Sequence, residues 1–249
     1  MTEGLRVETD AGVTTITLAR PEKKNAITDA MYGGIAAALN TATADDAARA
    51  VVIAGDGTDF CAGNDISMFA DGRDAVSSSN VGPFLEALTG FPKPIVAAVT
   101  GRAIGVGVTM LLHCDLVYVA HDATLVTPFI DLGLVPEAGS GRLLPERIGH
   151  VRAFALFALG ERLSGDEAAA LGIANRALAA DAVLPAAMAA ARALAEKPAS
   201  AIAATKRLMR DADTLRAALS ADRDAFLRQL ETPEAVAAFA AFAARKAPR

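Results

Sequence analysis

The chain has 249 residues, enough for one substantial buried core with or without an appendage. Charged residues are 21% of it and the formal net charge is −5, which leaves no basic footprint for nucleic acid or for an anionic membrane surface. Two cysteines, Cys61 and Cys114, and three histidines show no metal-ligand spacing, and both cysteines sit in apolar sequence as small buried hydrophobes of a reducing compartment.

The opening Met-Thr-Glu-Gly-Leu-Arg lacks the apolar run of a secretory leader, so a cytoplasmic protein is expected. Leu5–Thr9 and Val13–Leu18 flank Asp10-Ala11-Gly12 and predict a hairpin that ends at Arg20-Pro21. Thr28 is placed to cap a helix with Met31, Ile35, Ala38 and Leu39 on its apolar face. Ala50–Ala54 reads as a buried strand stopped by Gly55-Asp56-Gly57. Residues 70–80 are polar without periodicity and read as a loop or an irregular helix end, and Val81–Leu88 predicts a helix. The apolar run Pro94–Thr100 predicts a strand that passes through Gly101, Gly105 and Gly107 into a buried helix. Arg102, His113 and Asp115 interrupt Pro94–Ala120, so that region is a core segment and not a membrane span. Leu116–Ala120 predicts another strand, and Glu137 follows Pro136 at the mouth of a further helix. After Gly149 the chain turns alanine-rich. A helical pair containing Phe154, Phe157, Leu163, Ala168 and Leu171 is expected, then helices over Val183–Ala195, Ser200–Arg210, Thr214–Leu230 and Pro233–Ala244. Alternating helices and strands followed by helices alone give an α/β class.

The glycines between 101 and 107 have two readings. They permit tight packing of helix on strand, or they let backbone approach a ligand, with free N–H groups at the helix start to hold an oxyanion. Three stretches resemble the crotonase (enoyl-CoA hydratase/isomerase) superfamily, in order and at its spacing. They are Arg20-Pro21-Glu22-Lys23-Lys24-Asn25-Ala26, then Phe60-Cys61-Ala62-Gly63-Asn64-Asp65-Ile66, then Lys93 through Ile148 with Cys114-Asp115-Leu116 and Leu132-Gly133-Leu134-Val135-Pro136.

The resemblance implies a crotonase-like spiral of ββα units, with an acyl-CoA-binding core over 1–190 and a C-terminal helical trimerisation region over 191–249. It implies an acyl-CoA thioester as substrate, no metal or redox cofactor, and a homotrimer or dimer of trimers. The backbone N–H groups of Asn64 and Val106 map to the pair that holds the thioester oxygen. Lys24, Ala26, Ala62, Gly63, Asp65, Ile66, Gly105 and Phe129 map to the substrate path, and Arg245 and Lys246 to a basic pair near CoA phosphate. The two glutamates of the family's hydratases map to Thr109 and Phe129, neither of which is a general acid or base at neutral pH. Glu137 remains, at the place where Δ3,Δ2-enoyl-CoA isomerases carry a single acidic base, with Asp131 as second choice. Asp65 reads as a loop acceptor and His113 as a core histidine. The expectation is an isomerase shifting a 3-enoyl double bond to 2-trans. Another crotonase-type reaction (atypical hydration, decarboxylation, thioester hydrolysis) or a silent acyl-CoA-binding trimer stays open.

Overall fold

In the computed structural model, residues 2–65 and 78–246 are described, with side chains through residue 241. Strands β1 (Leu5–Asp10) and β2 (Val13–Leu18) form the expected hairpin, with Leu5 opposite Leu18. Strands β3 (Ala50–Gly55), β4 (Ile95–Val99), β6 (Leu116–Ala120) and β9 (Arg176–Leu178) extend it in parallel, giving a six-stranded sheet of order β1-β2-β3-β4-β6-β9. The buried runs Ala-Val-Val-Ile-Ala and Ile-Val-Ala-Ala-Val occupy its centre, as strands covered on both faces require.

A second sheet joins β5 (Arg102–Ile104), β7 (Thr124–Val126) and β8 (Arg162–Ser164). Each of its strands has three residues, too short to show a period. The strand β5 is interposed where a direct turn from strand to helix was expected. Gly101 at φ +55° pivots the chain into it, and Gly105 at φ +54° pivots the chain out. Leu163, expected in a helix, lies in β8. The next helix begins only after Ser164, its N-cap, whose capping box with Glu167 satisfies the first N–H groups.

Helix α1 (Asp29–Ala44) starts at Thr28, whose hydroxyl accepts the Met31 N–H at 3.3 Å, and it buries Met31, Ile35 and Leu39. Helix α2 (Val81–Gly90) packs on it, with Phe84 and Leu88 buried. The short α3 (Val106–Thr109) continues as a 3-10 turn over Met110–His113. Helices α4 (Ser140–Ile148), α5 (His150–Ala158) and α6 (Gly165–Ala170) follow. Helix α7 (Ala180–Ala195) lies across β3, β4 and β6 and runs through the division expected between residues 190 and 191. Helices α8 (Ala199–Met209), α9 (Ala212–Gln229) and α10 (Pro233–Lys246) complete the chain, the last capped by the Thr232 hydroxyl on the Ala235 N–H. Among the described residues, no helix is long and apolar enough to cross a membrane.

Candidate functional site

Two backbone segments meet where the second and third motifs approach one another. Cys61 bridges Ala103 in parallel, the Cys61 N–H reaching the Arg102 carbonyl and the Ile104 N–H reaching the Cys61 carbonyl, both at 2.9 Å. Side chains would not fit between them. A Cβ on Gly107 would stand 2.8 Å from the Cys61 carbonyl oxygen, and one on Gly63 would stand 3.1 Å from that of Ile104. Close backbone approach therefore requires glycine at 63 and 107, which is the packing reading of the cluster.

The first motif lies against the same strip. The Ala62 N–H donates to the Lys24 carbonyl, the Ile27 N–H to Gly63 and the Asp65 N–H to Ile27. Because Gly63 and Asp65 bond Ile27, the intervening Asn64 N–H faces the other way. The Val106 N–H opens α3 with no capping side chain, and among the described residues neither N–H is given to a carbonyl of the chain. Lys24, Ala26, Ala62, Gly63, Asn64, Asp65, Gly105 and Val106 thus belong to one contiguous region. Ile66 and the side chains of Arg245 and Lys246 lie outside the described residues, as does most of the polar stretch at 70–80.

Buried Asn25 ties the first motif to the loop before the second. Its Nδ2 donates to the Asp56 and Asp59 carbonyls at 2.9 and 2.6 Å, and its Oδ1 accepts from the Arg20 N–H at 2.9 Å. Arg20 Nη1 then donates to Asp65 Oδ2 at 3.1 Å and to the Ala26 carbonyl at 2.8 Å, which makes Asp65 an ion-pair partner. The Cys61 thiol, pushed up to about 12 by burial, stays protonated.

Glu137 stands on the turn before α4. Thr109, fully buried, donates its hydroxyl to Glu137 Oε1 at 2.7 Å. Oε2 has no hydrogen-bond partner among the described residues and is not sealed from solvent. The residue keeps partial exposure, yet its carboxyl is deep enough that burial pushes its pKa from 4.5 to about 7. The Thr109 bond pulls the other way and the Asp222 charge adds to the rise. A carboxylate with such a value and one open oxygen is a competent base near neutrality.

Several site groups carry no sequence signal. Tyr32, on α1, donates its hydroxyl to Asn64 Oδ1 and packs at a tilt of 50° against Phe84, with ring centroids 4.9 Å apart. Asp222 comes from α9, where its position is that of any polar helical residue. Thr109 was visible only as a missing glutamate. Phe129, expected on the substrate path, is buried with its ring against Phe157, centroids 6.1 Å apart, and its carbonyl accepts the Leu132 and Leu134 N–H groups. Asp131 is exposed. His113 is wholly buried, with Nε2 2.8 Å from the Ala138 carbonyl.

Comparisons with known proteins bear on the family. A profile of the family described as "Enoyl-CoA hydratase/isomerase" matches residues 8–249. The 1,2-epoxyphenylacetyl-CoA isomerase of Escherichia coli K12 is 34% identical over 221 residues, covering 86% of this chain and 84% of that protein. Enoyl-CoA delta isomerase 2 of Rattus norvegicus is 38% identical over 177 residues, which is 69% of this chain but 45% of the rat protein, so the match spans less than half of it. The structure of Pseudomonas aeruginosa OdaA superposes with a TM-score of 0.93 at 46% identity, over 96% of this chain and 98% of its own. An enoyl-CoA hydratase/isomerase from Pseudoalteromonas atlantica T6c gives 0.92 at 35% identity, over 99% of each chain. With a family profile along nearly its whole length and relatives aligned across most of both chains, the protein is an enzyme of the enoyl-CoA hydratase/isomerase family with the crotonase fold.

Proposed function

We propose that the protein is an acyl-CoA isomerase that converts a 3-enoyl-CoA into the 2-trans-enoyl-CoA, with Glu137 as its single base. The observation that carries this reading is the Thr109–Glu137 hydrogen bond. At the position where hydratases of the family have the first of two glutamates, a hydroxyl instead steadies one oxygen of the Glu137 carboxylate and leaves the other open.

In the proposed reaction Glu137 Oε2 takes a proton from C2. The electron pair of that C–H bond moves into the thioester, whose oxygen becomes negative while the N–H groups of Asn64 and Val106 donate to it. The same proton returns at C4 as the double bond shifts to C2–C3, so no redox partner is consumed. Such a donor is worth about 3 kcal/mol of barrier, because its bond strengthens as charge develops. The region of Lys24, Ala26, Ala62, Gly63, Asp65 and Gly105 is the proposed path of the CoA moiety, with Phe129 toward the acyl group. Coenzyme A is part of the substrate, and the reaction as written requires no metal.

A spectroscopic panel of a 3-enoyl-CoA, crotonyl-CoA and a saturated acyl-CoA tests this directly. The 3-enoyl ester should become conjugated, whereas hydration of crotonyl-CoA should run roughly a thousandfold slower for want of a second carboxylate. Hydration as fast as isomerisation, or thioester cleavage alone, would assign a different reaction of the family. Binding of all three esters without turnover would assign a silent carrier.

Assembly belongs to the same proposal. Val151, Phe154 and Leu159, at 81, 61 and 72% exposure, line up on and just after α5, and α8 buries none of its residues while exposing Leu208 and Met209. Apolar surface of this kind calls for a partner, and a homotrimer or dimer of trimers is expected. Light scattering at micromolar concentration should give three or six chain masses, and a stable monomer would reject the assembly.

A further inference from the structure

We propose that His113 is the positioning residue of the base, its imidazole donating to the Ala138 carbonyl and so holding the turn that aims Glu137 at the substrate. This rests on the reading of Glu137 as the base. Ala138 has φ +61° and Gly139 φ +70°, two left-handed residues in succession directly after Glu137. Glycine adopts this conformation freely. Alanine does not, and persists there only where its surroundings hold it.

The Ala138 carbonyl can only accept, so Nε2 of His113 carries the hydrogen across their 2.8 Å contact. Nδ1 is then the acceptor that faces the Thr89 hydroxyl at 3.5 Å. Both His113 and Ala138 are buried, at 0 and 2% exposure, so water cannot stand in for a lost imidazole donor. The imidazole also has a firm base. Arg210 donates to the His113 carbonyl at 2.8 Å, and Arg147 and Arg210 share the Leu112 carbonyl at 3.0 and 2.8 Å.

Thr109 lies four residues before His113 on the same helical run. The pair therefore grips Glu137 twice, Thr109 at the carboxyl and His113 at the peptide carbonyl that follows. Burial holds the imidazole neutral by pushing its pKa down to about 4, and the nearby Arg210, Arg147 and Lys206 act in the same direction. His113 thus takes no part in proton transfer. Its role is geometric: without the donor the turn can relax toward negative φ, and Oε2 leaves its line to C2.

The experiment compares wild type, His113→Leu, His113→Gln and Glu137→Gln on a 3-enoyl-CoA, each checked for folding by circular dichroism. His113→Leu should lower kcat by about 30- to 100-fold, the scale of a misplacement near 1 Å, with KM changed by less than about threefold. His113→Gln can still present an N–H near Nε2 and should return to within about fivefold of wild type. Equal losses in Leu and Gln, an unchanged kcat in Leu, or a loss confined to KM would overturn the proposal. If His113→Leu does not fold, His113→Asn serves, since its amide is polar but too short to reach Ala138. It should lose kcat and keep KM, and a wild-type kcat would overturn the proposal. Full activity in Glu137→Gln would instead remove the assignment of the base. An inactive Glu137→Gln beside an unaffected His113→Leu would remove only the role of His113.

Discussion

Replacing Glu137 by glutamine should reduce isomerisation of a 3-enoyl-CoA by at least about a thousandfold while leaving affinity for the ester near the wild-type value. The amide matches the carboxyl in shape, and its oxygen can still accept the Thr109 hydroxyl, so the turn has no reason to move. What is lost is the carboxylate proposed to take the C2 proton. Asp131 is exposed, and Asp131→Asn should stay within about twofold of wild type. A folded, ester-binding Glu137→Gln protein at the wild-type rate would sink the assignment.

The same substitution carries a stability signature whose sign follows from burial. The Glu137 pKa rises from 4.5 to about 7 in the folded chain. Between those values the native state holds a proton that the unfolded chain has released, so stability falls as pH rises through that window. The contribution is full below pH 4.5 and is lost by passage through pH 7. Each unit is worth about 1.4 kcal/mol, which bounds the effect at a few kcal/mol. Glutamine does not ionise. Glu137→Gln should therefore melt higher than wild type at pH 8.5, with the gap narrowing toward pH 5, while wild-type kcat/KM rises with pH through the region of 7. Stability and activity thus pull in opposite directions at one residue.

Which features the sequence discloses depends on the range of the interactions behind them. The hairpin of β1 and β2, the Thr28 cap and the buried run of β4 each rest on a few neighbouring residues, and all were readable. The strands β5, β7 and β8 have three residues apiece and exist because distant backbone pairs with them, so no local pattern announced them. At the site, the proposals for Glu137 and for the Asn64 and Val106 donors came from motif spacing. The Thr109–Glu137 bond spans 28 positions, and the Tyr32–Asn64 bond spans 32. Asp222 reaches the site only because Leu215 and Leu219 of α9 pack over Gly139. His113 was correctly read as a core histidine, but the group it serves is 25 positions away, in a turn whose left-handed alanine no propensity predicts.

Gly107→Ala is expected to have the second large effect, and it probes the donors without touching the base. An added Cβ would meet the Cys61 carbonyl oxygen at 2.8 Å and the Cys61 Cβ at 3.0 Å, distances that neither backbone can absorb without moving. Gly107 directly follows Val106, and Cys61 lies three residues before Asn64. A forced separation there must widen the gap between the two N–H groups proposed to share the thioester oxygen. Since one such donor is worth about 3 kcal/mol, kcat should fall by roughly a hundredfold, while the CoA moiety, bound through other contacts, keeps KM nearly unchanged. Gly82 supplies the control. Nothing lies within 4 Å of a Cβ added there, and Gly82→Ala in α2 should leave turnover unaltered and raise stability by about 0.5–1 kcal/mol. If Gly107→Ala isomerises at the wild-type rate in a protein that melts normally, the enolate charge must be held elsewhere.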